Sequence, residues 1–581
     1  MTRYFEVLKR DGPARIGRLT LGKILETPCL ISEKELVSAG SVWEFGSTKE
    51  AIEKAKTLSG EIGKLLIGPY VSAPLHAEPP ISISQVPTDG PSGVVIHPLS
   101  HEKPPKADVY ILGAAGSLRN PRELVRTILK VKNEIPPDTA LYAPALATPA
   151  NLALLIYLGA DLVDATRVVV DGLLGRYHTR DGVWPQEELV ELPCLCTHCR
   201  AQMEKERRDP KLTAAHNLLK LKEEIRVVRH AILRGELREY VERQVRVTPE
   251  QTTTLRLLDQ EHDYLDRRTP ITRRNVMFSN TADSLHRVEV TRFAERVLDR
   301  YSAPESDVLL LLPCSARKPY SKSRSHRLFA MALGKNRRRV HELILTSPLA
   351  LVPRELEEVY PAAYYDVPVT GRWDLEERNW ILSCLDDYLK KNKYARIVAH
   401  LDGELREFVE GHGIEAVYTS GGTNAESLRE LTKAVDEAVQ DARPLGDYRT
   451  LRFRAMADYY FGKGASDLLL AGDVKVKGRE LQGGKKTLAS ATPNGTLALT
   501  IEGAKRLEPL ERYQVQIGDF LPRGDVLSPG VTDADKEIRP GDEVLVRGEK
   551  AFGVGRARMS GWEMIESSRG VAVELRRIEK V

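Results

Sequence analysis

Five consecutive apolar residues, Val308 to Leu312, run directly into Pro313-Cys314-Ser315-Ala316-Arg317-Lys318-Pro319-Tyr320-Ser321-Lys322-Ser323-Arg324-Ser325-His326. No other stretch constrains the chain as much. The apolar run reads as a buried strand, and a helical pattern begins near Arg327. In an open α/β sheet, ligands bind in the crevice beyond the carboxyl ends of the strands. Here that crevice receives a thiol, four serine hydroxyls, two ammonium groups, a phenol and an imidazole from fourteen residues. Two prolines restrict the loop and lower the entropy cost of holding these groups in place.

The rest of the middle region repeats the pattern. Further strands are expected at 342–345, 396–400 and 416–418, with helices over 328–333, 375–390 and 425–439. Each strand ends in small or polar residues: Thr346-Ser347-Pro348, Leu401-Asp402-Gly403 and Thr419-Ser420-Gly421-Gly422-Thr423-Asn424. Loops at one sheet edge can assemble a site. Arg372 and Trp373 offer a further wall able to stack on a base.

With 581 residues the chain is expected to form several domains. Hydrophobic residues make up 42% and charged residues 29%, which excludes a disordered chain. The net charge of +4 is too small to imply a nucleic-acid partner by itself. No signal peptide and no apolar run near the roughly 20 residues of a membrane span are visible, so a cytoplasmic protein with no membrane partner is expected.

Residues 1–275 alternate short apolar strands with amphipathic helices, for which a (β/α) barrel is the leading expectation. Six cysteines do not make a disulfide framework, and three of them fall within Cys194-Leu195-Cys196-Thr197-His198-Cys199. His216 follows Cys199 by seventeen residues. Three thiolates and an imidazole suit tetrahedral Zn²⁺, and four protein ligands leave no open position, so a structural zinc is expected. His198 is the alternative imidazole.

Several of these runs resemble known families. Pro-Cys-Ser-x-x-Lys-Pro-Tyr at 313–320 is similar to the signature of archaeosine synthase, an archaeal tRNA-modifying relative of tRNA-guanine transglycosylase. Ala215-His216-Asn217-Leu218 resembles the transglycosylase zinc-ligand segment, which favours His216 over His198. Gly159-Ala160-Asp161-Leu162-Val163-Asp164-Ala165 resembles its nucleophile segment, with Asp164 at the nucleophile position. The second aspartate of that family, in a Ser-Gly-(Ala/Gly)-Phe-Gln run, has no counterpart. Ser92-Gly93-Val94-Val95-Ile96-His97 stands there without a carboxylate. Asp164 is accordingly expected as an inherited residue or helix cap that lines a substrate pocket. Tyr448–Met456 and Ala457–Gly464 resemble the small domain that precedes the PUA module in archaeal transglycosylases. Ser528-Pro529-Gly530-Val531, Arg539-Pro540-Gly541-Asp542-Glu543-Val544 and Gly553–Ser560 resemble the PUA domain itself, an RNA-binding fold. Arg547, Lys550, Arg556 and Arg558 are its candidate phosphate ligands.

The resemblance implies a multidomain α/β protein. Its parts are a transglycosylase-like (β/α) barrel with structural zinc over 1–275 and an α/β domain carrying the signature over 276–445. A small α+β domain follows over 446–508, and a β-barrel PUA domain over 509–581. It implies an enzyme of archaeosine biosynthesis that adds an amine to the nitrile of 7-cyano-7-deazaguanine (preQ0) in the tRNA D-loop. Lysine or glutamine is the implied donor, and a radical-SAM partner enzyme would release archaeosine from a lysine adduct. A working transglycosylase and a non-catalytic tRNA scaffold are the rival readings, and a homodimer is open.

The chemistry suits the signature. Cys314 can add to the electrophilic nitrile carbon, and an amine can then displace it. Lys318 or His326 would help form the thiolate. Tyr320, Ser315 or protonated His326 would donate to the nitrile nitrogen. His326 is also the expected base for the amine. Ser323 and Ser325 are expected to contact substrate.

Overall fold

The computed structural model describes residues 4–58, 63–77, 90–100 and 103–581. The chain separates into two compact units. The first holds residues 1–270 with two short returns, 527–529 and 562–572, and the second holds the remainder.

Seven parallel strands form the largest sheet of the first unit. Across the sheet they run Cys29–Leu30, Leu162–Val163, Ala140–Ala143, Val109–Leu112, Ser92–Ile96, Leu65–Ile67 and Leu36–Ser38. The two edge strands are neighbours in sequence. A flat sheet of this width would separate them by about 29 Å at roughly 4.8 Å per strand. The chain from Leu30 to Leu36 reaches at most about 22 Å. The sheet must therefore curve towards closure, as a barrel does. Alternate residues Leu65 and Ile67, Val109 and Ile111, and Ala140 and Tyr142 enter one buried cluster with Phe5 and Leu19, the inward period-two pattern of a barrel interior. Among the described residues no ladder joins the two edges, so the expected barrel is realised as an open, curved sheet.

Among the described residues the second unit contains four sheets: a parallel pair of Met277–Phe278 with Tyr365–Asp366, five strands within 308–419, four within 474–499 and six within 514–580. In the five-stranded sheet the order is Ala350–Pro353, His341–Thr346, Val308–Pro313, Arg396–His400 and Val417–Thr419. Every pairing is parallel except that of Ala350–Pro353. That antiparallel edge strand was not anticipated; it returns directly from His341–Thr346 after a short turn. Val308 to Leu312 are each 0% exposed, as five apolar residues in a central strand require. From Val308–Pro313 the chain crosses first to one side, at His341, and later to the other, at Arg396. The strand order therefore reverses here, and a crevice opens at the carboxyl end of such a strand. Cys314 is the next residue.

The helix after the signature starts earlier than its apolar pattern suggests, spanning Arg324–Leu333. Ser323 caps it, its hydroxyl accepting from the His326 amide at 3.2 Å, which is the preferred N-terminal arrangement for serine. Ser325 and His326 thus lie in the first helical turn.

Beneath this turn lies a buried charged cluster. Arg354 donates to Glu342 at 2.7 Å and to Glu357 at 2.8 Å, and its remaining branch lies 2.8 Å from His326 Nδ1. Glu357 also accepts from the Ser321 amide at 2.8 Å. The guanidinium therefore neutralises two carboxylates while bracing both ends of the loop's second half. Burial raises the Glu342 carboxyl, but Arg354 and Arg337 overcome it and hold the group down at about 2. This contribution to stability is present above the ordinary carboxylate range and is lost as pH falls towards 2. Replacing Arg354 with Met should strand two buried carboxylates and cost about 3–5 kcal/mol. Thermal unfolding followed by circular dichroism would register it, with Arg354→Lys intermediate because an ammonium lacks the planar fork.

Candidate functional site

The carboxyl edge of the five-stranded sheet gathers four loops. Pro313 pairs with Leu345 in register, so Thr346, the next residue, flanks Cys314. Thr346 thus stands beside Cys314 on the neighbouring strand. Burial pushes the thiol's pKa up, against the neighbouring Thr346 hydroxyl and the charge of Lys318, which pull it down. Lys318 lies with its Nζ 4.1 Å from the centre of the Tyr365 ring. Burial lowers its pKa, opposed by the Cys314 thiolate and Asp366. Tyr320 is fully buried and its hydroxyl lies 2.6 Å from that of Tyr365. Lys318 and Tyr320 thus meet at Tyr365, and the charge of Lys318 acts on Cys314.

Other expectations require correction. His326 is 2% exposed. Its Nε2 lies 3.0 Å from the Pro313 carbonyl, so that nitrogen carries the proton, and Nδ1 accepts from Arg354. Burial, reinforced by Arg354, pushes the imidazole down to about 3. With both nitrogens engaged and no charge near neutrality, His326 cannot serve as the acid or base assigned to it. It fastens the first helical turn to the strand end. Ser315 is turned into its own loop, donating to the Arg317 carbonyl at 3.0 Å. Ser323 serves as the helix cap, and its hydroxyl lies 3.2 Å from that of Ser325. Both serines are committed to the helix start rather than presented to a substrate.

The remaining loops form walls. Asp402 is close enough to Cys314 to act on its charge. Gly421, at φ +69°, packs on the Leu401–Asp402 backbone, where an added Cβ would fall 2.2 Å from the Leu401 carbonyl carbon. Only glycine allows that approach. Ser420 and Asn424 are occupied locally, Ser420 with Ser427 at 2.7 Å and Asn424 as a helix cap. The Trp373 ring meets Phe408 edge-on at 5.9 Å, and Arg372 is exposed. Thr346 was visible in sequence only as part of a loop after a strand. Tyr365 carried no signal, because its partner Tyr320 lies 45 residues away.

In the first unit, Cys194, Cys196, Cys199 and His216 present ligand atoms all within 4.8 Å of one another, a group that could hold a metal ion. His216 Nδ1 lies 3.5 Å from the Cys196 sulfur and 3.2 Å from that of Cys199. A tetrahedral site with ligand bonds of about 2.1 and 2.3 Å would separate nitrogen and sulfur by roughly 3.6 Å. His216 Nε2 lies 2.9 Å from the His178 carbonyl, which fixes its proton there and leaves Nδ1 bare, the usual arrangement around metal-bound histidine. Tyr177 stacks on the imidazole at 4.0 Å and its hydroxyl lies 3.2 Å from the Cys199 sulfur. His198, the alternative, is outside the cluster. Asp164 accepts from the Tyr142 hydroxyl at 2.7 Å, the Ala145 amide at 3.2 Å and the Thr166 amide at 2.9 Å. A carboxylate holding three donors suits the bland expectation of a cap better than a nucleophile.

Of the four candidate phosphate ligands in the last sheet, Arg547, Lys550 and Arg558 make ion pairs with Glu508, Asp519 and Glu574. These side chains are more than half exposed, so the pairs are weak and exchangeable. Arg556 is different. It is braced inside the unit, donating to the Gly541 carbonyl at 3.2 Å and to Thr272 at 3.0 Å, and is not a free phosphate ligand.

Family models match along the chain in the same order as these parts. They are Queuine tRNA-ribosyltransferase over 100–250, Domain of unknown function (DUF5591) over 290–435, Patch-forming domain C2 of tRNA-guanine transglycosylase over 452–513, and PUA domain over 517–578. Archaeosine synthase subunit alpha of Methanosarcina acetivorans is 44% identical over the whole of both chains. The chain belongs to the archaeosine synthase family. Archaeosine synthase of Haloferax volcanii is 38% identical, again over both full lengths. A tRNA-guanine(15) transglycosylase of Methanobrevibacter smithii is 27% identical over 81% of this chain and 72% of its own. The signature thiol lies within the segment of unknown function, whereas the metal cluster lies within the tRNA-ribosyltransferase segment. Among the described residues no helix is long and apolar enough to cross a membrane.

Metal analysis of the purified chain should return one ion per molecule, and Cys196→Ser should lose it together with thermal stability. Full retention of metal in that variant would overturn the ligand set.

Proposed function

We propose that the chain is the tRNA-modifying transferase of archaeosine biosynthesis, which adds an amine to the nitrile of preQ0 already installed in the tRNA D-loop. Full-length kinship with proteins named archaeosine synthase supports the pathway. The observation that carries the chemistry is the Cys314 thiol with the Lys318 ammonium beside it, at the strand end where the sheet order reverses.

In this reading the Cys314 sulfur bonds to the nitrile carbon, its S–H bond breaks, and the proton ends on the nitrile nitrogen, giving a thioimidate. The amine donor then bonds to the same carbon, and Cys314 leaves with a proton, giving the amidine. Lys318 is the proton carrier. Its lowered pKa makes the neutral amine accessible, so it takes the thiol proton and, as ammonium, gives it to the nitrile nitrogen. Lysine, or nitrogen derived from glutamine, is the donor, and a radical-SAM partner enzyme would act on a lysine adduct. The three thiolates and one imidazole of the first unit suit Zn²⁺ in a closed structural site, tying Cys194, Cys196 and the Thr197–Met203 helix that carries Cys199 to the Pro210–Arg234 helix that carries His216. The PUA domain supports a tRNA substrate, and the protein works in the cytoplasm. Base exchange is disfavoured by the engaged Asp164 and by Ser92–Ile96, a strand without a carboxylate.

Incubation with preQ0-modified tRNA and lysine or glutamine, followed by nucleoside mass analysis, should yield an amidine adduct. Retained nitrile would reject the synthase reading, and an exchanged base would select the transglycosylase. Cys314→Ala should abolish the adduct, and Cys314→Ser should slow it by about 100-fold or more, since an alkoxide is far harder to form than a thiolate. Because burial raises the thiol pKa, turnover should climb as pH rises above neutrality. Lys318→Ala removes the charge that pulls the thiol down, so the rising limb should move to higher pH. An unmoved limb would take Lys318 out of the thiol's electrostatics.

A further inference from the structure

Behind Cys314 lies a row of buried hydroxyls that the assigned chemistry does not use. The Thr346 hydroxyl belongs to the residue beside Cys314 on the neighbouring strand and lies 2.6 Å from the Tyr365 hydroxyl. Tyr365 lies in turn 2.6 Å from the Tyr320 hydroxyl. Tyr320 and Thr346 are 0% exposed and Tyr365 is 3% exposed, so water does not stand in for any of these bonds. The acceptor that competes for the Thr346 proton is the Ser347 carbonyl, 3.2 Å away. A hydroxyl donates one proton and accepts up to two. Tyr320 can therefore donate to Tyr365, Tyr365 to Thr346, and Thr346 to sulfur. Each donor in such a row polarises the next. Lys318, seated over the Tyr365 ring, adds a positive charge that makes the Tyr365 O–H a stronger donor.

We infer that Tyr320, Tyr365 and Thr346 form a hydroxyl relay that aims its donors at Cys314 when the thiol ionises, making Thr346 and Tyr365 positioning residues for the sulfur nucleophile. This rests on the reading of Cys314 as the nucleophile. No proton is consumed along the relay. The O–H bonds reorient, the thiol proton leaves through Lys318 to the nitrile nitrogen, and the relay holds the negative sulfur until the S–C bond forms. The phenol of the signature thus acts from behind the thiol rather than on the nitrile.

The test is the pH dependence of Cys314 alkylation by iodoacetamide in the full chain, with the modified peptide resolved by mass spectrometry from those of the other cysteines. A hydrogen bond to a charged group is worth about tenfold or more in an equilibrium. Thr346→Val should therefore raise the alkylation midpoint by about one pH unit. Tyr365→Phe should raise it by a smaller step, and Thr346→Ser should restore it. Midpoints unchanged in both the Val and Phe variants would overturn the relay and leave the hydroxyls as packing. Should Thr346→Val fail to fold, Tyr365→Phe decides alone, because it removes one oxygen and keeps the ring under Lys318. Shifted midpoints together with amidine formation by Cys314→Ala would sustain the relay and reject the nucleophile assignment, so the two failures are distinguishable.

Discussion

The geometry of the second unit's site depends on one guanidinium. Arg354 reaches Glu342, Glu357 and His326 from a fully buried position, and through Glu357 and His326 it holds the Ser321 amide and the Pro313 carbonyl at a second remove. Charges in such a place are costly to desolvate and are retained only where each is paired and hydrogen-bonded. The consequence is a loop whose two ends are tied to the same buried cation. Between the ties, Cys314 and Lys318 are held by the strand end and by the Tyr365 ring rather than by their own flexibility.

The site then combines two opposed effects. Desolvation disfavours both the thiolate and the ammonium, raising the one pKa and lowering the other. Left alone, it would make an inert thiol beside a neutral amine. The hydroxyls of Thr346, Tyr365 and Tyr320 and the proximity of the two groups offset that penalty for the charged pair.

Much of this was legible in the chain. The apolar run at 308–312, the polar residues after each strand and the spacing of Cys194, Cys196, Cys199 and His216 are local patterns, and each reports directly on burial or ligand geometry. The strands at 396–400 and the helix starting at Leu375 fall where their periodicity puts them. What failed was long-range. His326 looks like a base in sequence because nothing nearby reveals Arg354, 28 residues on, which occupies its second nitrogen. Ser323 and Ser325 look like substrate contacts until the helix is seen to begin at Arg324. The partnership of Tyr365 with Thr346 is created by folding alone, as is the open seam of the first sheet.

Gly421 shows how far the site's shape depends on a residue with no chemistry of its own. Its missing side chain lets the last loop of the sheet rest on the Leu401–Asp402 backbone, so the position of that loop is set by a backbone-to-backbone stack. Such a stack has no rotamers to adjust. The seat of that loop is thus a fixed dimension of the main chain, set where no side-chain rearrangement can change it.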